Sequence, residues 1–407
     1  MRCMVEKTPE HELAQLLGPR LLSLLSGQER VELEQFEMEI GELELWLPTG
    51  GNPIAAHEQV KEQLPPPSLI DEPFSLRAEQ FPGKVREVTL GARSAEGGTR
   101  GRTVTIGGAT APAYWYDCAP PRLPVIALDV FDMNIALPRP LKENIADVMD
   151  DPAAWARKNV EKFGAEVVTI HLMSTDPLIR DTSPSDAAKT VEEILQAVDV
   201  PLIIGGCGDP RKDAQVFARV AEIASGERVL LNSVTLDMAQ ARTLETVAAA
   251  AKEHGHLLLA FTGLDLNSAK ELNRRLYAYL PPEQVVMDLT TAALGYGLEY
   301  SFTIHERARM AALMGDGELQ HPTVSGSTNA WAAREAWMTL DPVFGPREVR
   351  GPLWESVTAL SLLLAGLDLL MMMHPAAVQT VREVTRHLLT TGRTEGGQEM
   401  AWIKTEI

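Results

Sequence analysis

Cysteine is nearly missing from this 407-residue chain. Only Cys3, Cys118 and Cys207 occur, far apart and in no CxxC spacing, which excludes a disulfide framework and any iron–sulfur or zinc site built from these cysteines alone. Long apolar runs are missing too. The longest, Ala359 to Met373, is broken by Gly366 and Asp368, and the opening MRCMVEKTPEHELAQ has no apolar core of the signal-peptide kind. Basic charge is scarce: 37 Lys and Arg stand against 56 Asp and Glu, a formal net charge of -19, with an isoelectric point near 5.0. Such a field repels nucleic acid and anionic membrane surfaces. Together these absences predict a reduced, cytoplasmic protein that does not span a membrane, with partners that are proteins or ligands held by neutral contacts.

What is present is a repeat. From Val125 onward a short apolar strand, a polar or glycine-rich strand end and an amphipathic helix recur eight times. The strands VIALDV, VVTIHL, PLIIGG, VLLNSV, LLLAFT, VVMDLT, PTVSGS and DLLMMM are nearly continuous in apolar or β-branched residues, as parallel strands covered on both faces should be. Ser183 before Pro184 and Asp209 before Pro210 mark helix starts, with a capping side chain ahead of a proline at the first helical position. Val191, Ile194, Leu195 and Val198 then continue at helical spacing. The pattern predicts an α/β fold, a (βα)8 TIM barrel over 121–407, with its functional residues on the face where the strands end.

Residues 1–120 read as a separate prefix. Leucines at helical spacing between Glu10 and Ser26 predict a helix, and the alternation from Val31 to Pro48 around Gly41 predicts a β-hairpin. A proline-rich connector, His57 to Pro82, leads to VREVTLGARSAEGGTRGRTVTIGG, which predicts a second hairpin placed to plug the bottom of the sheet. Two connections are long, 133–152 after the first strand and 341–352 after the seventh. On the functional face each is either a lid or docking surface or a tolerated insertion.

The strand ends lack the usual equipment of catalysis. They show no nucleophile beside a base, no metal trio and no lysine poised for a Schiff base. Hydroxyls, amides and glycines dominate instead, each able to contribute on the order of 1 kcal/mol to holding a neutral or amide-rich ligand. GGCGDPRKD offers backbone amides beside a helix N-terminus, suited to a phosphate or amide oxygen, although glycine there also simply permits a tight turn. Asp132, Asp176 and Asp288 stand where a barrel would aim them at a common ligand; Asp176 equally suits a turn cap, whereas Asp288, at the end of an apolar strand, needs a partner. His171 is expected to be packed within or just above the barrel and hydrogen-bonded, His305 to lie on the helix after Tyr300, and Met371 to Met373 to be strand core.

The ordered set EGGTRGRTVTIGG, PVIALDVFD, LMSTDP, GGCGDPRKD, MDLTTAALGYGLEYS and NAWAAREAW resembles the small-subunit family of corrinoid iron–sulfur proteins, also called the delta subunits of acetyl-CoA decarbonylase/synthase complexes. The resemblance covers nearly the whole chain. It implies a barrel similar to pterin-dependent methyltransferases, paired with a large subunit that carries the iron–sulfur cluster and a cobalamin-binding domain. It further implies methyl transfer on that cobalamin from a methyltetrahydrofolate:corrinoid methyltransferase to acetyl-CoA synthase, in the reductive acetyl-CoA pathway of carbon fixation. The resemblance also implies a cobalamin shared with the top of this barrel and a chain that is not catalytic by itself. On that basis Ser174, Thr175, Gly206, Cys207, Asn232, Asp288, Thr290, Thr291, Ser325 and Asn329 are expected near the cofactor. Cys207, Asp209, Leu289 and Ala292 depart from the family's usual GGSGNP and MDPTTGALGYGLEYS. Two alternatives stand beside this reading: an autonomous methyl-pterin:corrinoid methyltransferase, in which Asp288, Asn232 and Asp176 would hold the pterin, and a non-catalytic docking scaffold.

Overall fold

The computed structural model describes residues 80–113 and 120–391. The chain divides into Met1–Phe74 and Ser75–Ile407, and the described residues all belong to the second unit. The expected helix at 10–26, the first hairpin, the connector up to residue 79, Cys3 and Cys118 lie outside them.

Alternating VREVTL and RTVTIGG pair as an antiparallel hairpin, β1 (Glu87–Leu90) and β2 (Val104–Gly107), with Val88 opposite Ile106. Eight parallel strands follow: β3 (Val125–Phe131), β4 (Val167–His171), β5 (Leu202–Gly205), β6 (Leu230–Val234), β7 (Leu257–Phe261), β8 (Val285–Asp288), β9 (Val324–Gly326) and β10 (Leu369–Met372). Seven fall within their expected apolar runs, and β3 runs one residue past VIALDV, to Phe131. Their hydrogen-bonded order is β8-β7-β6-β5-β4-β3-β10-β9. The ring closes through a parallel bridge between Met287 and Thr323, beside a 3.0 Å bond that the Met287 N–H donates to the Pro322 carbonyl.

The helices among the described residues are α1 (Arg139–Ile145), α2 (Pro152–Glu161), α3 (Pro184–Ala197), α4 (Pro210–Ile223), α5 (Leu236–Ala241), α6 (Leu244–His254), α7 (Leu266–Leu276), α8 (Leu298–Leu313), α9 (Arg347–Leu364) and α10 (Pro375–Thr391). The expected caps are in place: the Ser183 hydroxyl accepts from the Asp186 amide at 3.2 Å, and Asp209 accepts from the Arg211 and Lys212 amides at 2.9 and 2.7 Å. None of these helices is long and apolar enough to cross a membrane.

Because side chains alternate across a strand, the strands feed two cores. Ile126, Leu128, Val168, Ile170, Leu202, Ile204 and their equivalents pack outward on the helices. Val125, Ala127, Val167, Ile203, Leu230, Leu259, Val286, Val324 and Leu369 point inward and form one cluster with Val88, Leu90, Val104 and Ile106 of the hairpin. The hairpin therefore plugs the barrel. It enters at the end where the strands begin, since Gly91 and Gly101 donate to the carbonyls of Arg228 and Asp199, just ahead of β6 and β5.

The long connections differ from expectation. The first, 133–152, contains α1. The second is a loop only up to Pro346, because α9 starts at Arg347 and carries Pro352 inside it. Tertiary anchoring outweighs the proline: Arg350 donates to the Glu335 and Met338 carbonyls at 2.9 and 2.5 Å, and Gly351 lies so close to Trp331 that a Cβ would sit 2.2 Å from the indole.

Candidate functional site

Inward alternation continues past the apolar layer and changes character. Beyond Ala127 comes Asp129, beyond Val167 come Thr169 and His171, beyond Leu230 comes Asn232 and beyond Val286 comes Asp288. With Met371, these side chains form the layer at the strand-end side of a barrel whose other side is packed on the hairpin.

Asp129 is 2% exposed. Its Oδ2 accepts from the Thr328 hydroxyl at 2.5 Å and lies 3.2 Å from Nε2 of His171, whose ring stacks on Phe131 with centroids 4.8 Å apart. The Asn232 amide reaches only a thioether, Met371 Sδ at 3.8 Å. Asp288 accepts from the Thr290 amide at 2.8 Å, and burial pushes its carboxyl up to about 7, against the backbone bond that lowers it. That acid is half neutral near physiological pH, as a carboxyl in a poorly hydrated site should be.

The rim is braced largely by its own groups. Asp132 turns away from the cavity and accepts from both the Ser174 amide, at 3.0 Å, and its hydroxyl, at 2.5 Å; burial raises its pKa, opposed by those bonds. Asp176 caps its turn by accepting from the Leu178 amide at 2.7 Å. Of the three acids expected to share a ligand, the structure sends only Asp288 inward. The glycine loop after β5 also differs: its amides hold the chain's own Asp213, whose carboxylate accepts from Cys207 and Gly208 N–H, each at 2.8 Å. A Cβ on Gly206 would sit 2.4 Å from that carboxylate, so glycine is required there for close approach.

Among the other expected residues, Thr175 donates to the Leu172 carbonyl at 2.6 Å, Thr290 to Thr262 at 2.9 Å, and Asn329 to Thr291 at 3.0 Å. The hydroxyls of Thr291, Ser325 and Ser327 form a buried chain with 2.9 Å steps. Asn232 and Asp288 thus carry polar groups of the inward layer, while the hydroxyls of Ser174, Thr175, Thr290, Thr291 and Ser325, the Asn329 amide and the Gly206 and Cys207 N–H groups are bonded to the protein's own groups. Among the described residues no three His, Cys, Asp or Glu side chains gather as a metal cage.

Three acids escaped the sequence expectation. Asp129 is a lone charge inside VIALDV, and strand parity was the signal that sets it inside the barrel. Asp213 follows Asp209 by one helical turn, a spacing that aims both at the helix start. Glu355 had no local signal: it is buried on α9 and accepts from the Met373 and His374 amides at 2.6 and 3.0 Å, fixing the end of β10, and burial pushes it up to about 8.

Comparison with known proteins gives this barrel a family. Residues 87–343 match the profile of the CO dehydrogenase/acetyl-CoA synthase delta subunit. The acetyl-CoA decarbonylase/synthase complex subunit delta of Methanosarcina mazei is 51% identical over 331 residues, 80% of this chain and 75% of the relative. That of Methanothermobacter thermautotrophicus is 46% identical over 377 residues, 91% of this chain and 93% of the relative. Among solved structures, Yersinia pestis dihydropteroate synthase aligns with a TM-score of 0.44 at 14% identity, covering 75% of this chain and 98% of that one. At about half identity over four-fifths of its length, the chain belongs to the CO dehydrogenase/acetyl-CoA synthase delta-subunit family.

Proposed function

We propose that the chain is the small subunit of a heterodimeric corrinoid iron–sulfur methyl carrier, and that the mouth of its barrel covers the cobalamin borne by a large subunit. The observation that carries this reading is where the apolar surface lies. Of the thirteen large hydrophobic side chains exposed among the described residues, ten stand at strand ends, on the loops that follow them or in the first two turns of the next helix, among them Leu178, Ile179, Phe261, Leu264, Tyr300 and Phe344. The other three, Leu123, Met314 and Leu364, are at the opposite end or at helix C-termini. An apolar ring around a polar mouth is the layout of a surface that is covered in use.

The residues present suit a corrin. Its periphery carries carboxamides, and the mouth offers Asn232 without a strong partner, an unpartnered Asp129 oxygen and Asp288, whose pKa burial raises. When bound, the cobalt corrin supplies the nucleophile that accepts a methyl group and later gives it up. The chain's part is to orient that group through Asn232, Asp288 and His171, and to exclude water with the apolar rim. The proposed sequence of partners is a methyltetrahydrofolate:corrinoid methyltransferase upstream and acetyl-CoA synthase downstream, the iron–sulfur cluster residing in the large subunit.

One titration tests this. The purified chain is mixed with methyl-tetrahydropterin and free cob(I)alamin while cobalt absorbance is followed. A chain inert alone, which retains corrinoid only with an iron–sulfur partner, is the expected result. Rapid methylation without another protein would instead establish an autonomous methyltransferase, and a complex that forms without any change in corrinoid retention would leave only a docking scaffold.

A further inference from the structure

Resting on that reading, we infer that His171, held by Asp129, is the residue of the mouth that accepts a hydrogen bond from a carboxamide of the corrin. Asp129 projects into the barrel from β3 and is buried, yet its Oδ1 has no partner. A buried carboxylate in that position needs a donor. The neighbouring donor is His171, whose Nε2 lies 3.2 Å from Oδ2 but is not aligned as a hydrogen bond. Such pairs are often loose without a ligand and tighten when one seats.

Three features fix what the ring offers. Phe131 stacks on one face, so the plane is set. Gly205 keeps a side chain away from Nδ1, since a Cβ there would sit 3.3 Å from that atom. The His171 side chain is 24% exposed while that of Asp129 is 1%, so the pair joins the inside of the barrel to its opening. A carboxylate facing Nε2 keeps the ring proton on that nitrogen. Nδ1 is then a bare acceptor, which matches the N–H of a carboxamide and not its oxygen. His171 contacts the ligand; Asp129 is a positioning residue that selects the tautomer.

The test uses the full chain assembled with its large subunit. His171→Phe keeps the stacking on Phe131 and removes the acceptor, and should weaken corrinoid binding about tenfold in a spectral titration, the scale of one unpaired hydrogen bond. His171→Gln, which retains an acceptor, should recover part of that loss. Asp129→Asn places an amide opposite Nε2, and nitrogen-15 shifts of the ring in the chain alone should then show the proton on Nδ1, with affinity reduced to a similar degree. Wild-type affinity in both His171 variants, in heterodimers that assemble normally, would overturn the inference and leave the proposed function standing. If the wild-type chain itself makes no difference to corrinoid retention, the underlying reading falls instead.

Discussion

The Arg100 guanidinium meets the Glu227 carboxylate at 2.7 Å beneath the barrel, with both side chains almost wholly buried. Arg100 also donates to the Val198 and Leu195 carbonyls at 2.6 and 2.8 Å, and Glu227 accepts from the Thr99 hydroxyl at 2.8 Å. The end of α3 and the turn ahead of β6 are thereby tied to the hairpin that plugs the barrel. Among the described residues this pair fixes the hairpin against the end where the strands begin.

Breaking this pair from one side leaves a buried charge without its counter-ion. Glu227→Ala is therefore expected to destabilise the fold by about 3–5 kcal/mol in urea denaturation, because desolvation is no longer offset. A loss below about 1 kcal/mol, the range of exposed ion pairs, would show that the plug is held by its apolar contacts alone.

Stability should carry the signature of Asp288. Its folded pKa is raised from the model-compound value of 3.8 to about 7, so between those values the folded chain binds more protons than the unfolded one. The contribution is complete below about pH 4 and is lost as pH climbs through about 7, by at most roughly 4 kcal/mol. Comparing wild type with Asp288→Asn at pH 5 and pH 8 isolates it from Asp132 and Asp213, whose pKa values are also raised by burial. Parallel pH profiles for the two proteins would remove the assignment.

Asp213 should govern Cys207. The thiol pKa is raised first by burial, and the Asp213 charge adds to the rise from 3.2 Å away. In a Cys3→Ser, Cys118→Ser background, Asp213→Asn is expected to speed alkylation of Cys207 at pH 7.5, since the thiolate is the reactive form. Gly206→Ala, which displaces the same carboxylate, should act in the same direction. Unchanged rates in both would mean that burial alone sets the thiol's reactivity.

The exposed ring around the mouth should matter for assembly and not for folding. Leu178 is 94% exposed, on a turn fixed by Asp176, so Leu178→Glu should alter stability by no more than about 0.5 kcal/mol. Combined with Phe344→Glu, it should reduce capture of the large subunit at least about tenfold, as charges placed in an interface core do. Undiminished capture would move the contact surface elsewhere.

Much of the barrel was legible because its signals are local. Eight apolar runs, capping residues before prolines and an alternating hairpin each act over a few residues, and the structure has an element at each. The long connection at 341–352 was misjudged because Pro352 is a local breaker, whereas the Arg350 and Gly351 contacts that keep α9 helical come from distant residues. The glycine loop was legible as an anion cradle, but not that Asp213 fills it.

By itself the sequence determined the repeat, the plug and the family, because periodicity, turn residues and motif order are written along the chain. Only the tertiary structure decided which polar groups are available. Closing eight strands into a ring engaged Asp132 with the Ser174 amide and hydroxyl and the β5-loop amides with Asp213, and brought Asp129, His171, Asn232 and Asp288 from four strands to the strand-end side. Hydrogen bonding decides that allocation, and its partners are chosen in space, across residues as far apart as Asp129 and Thr328.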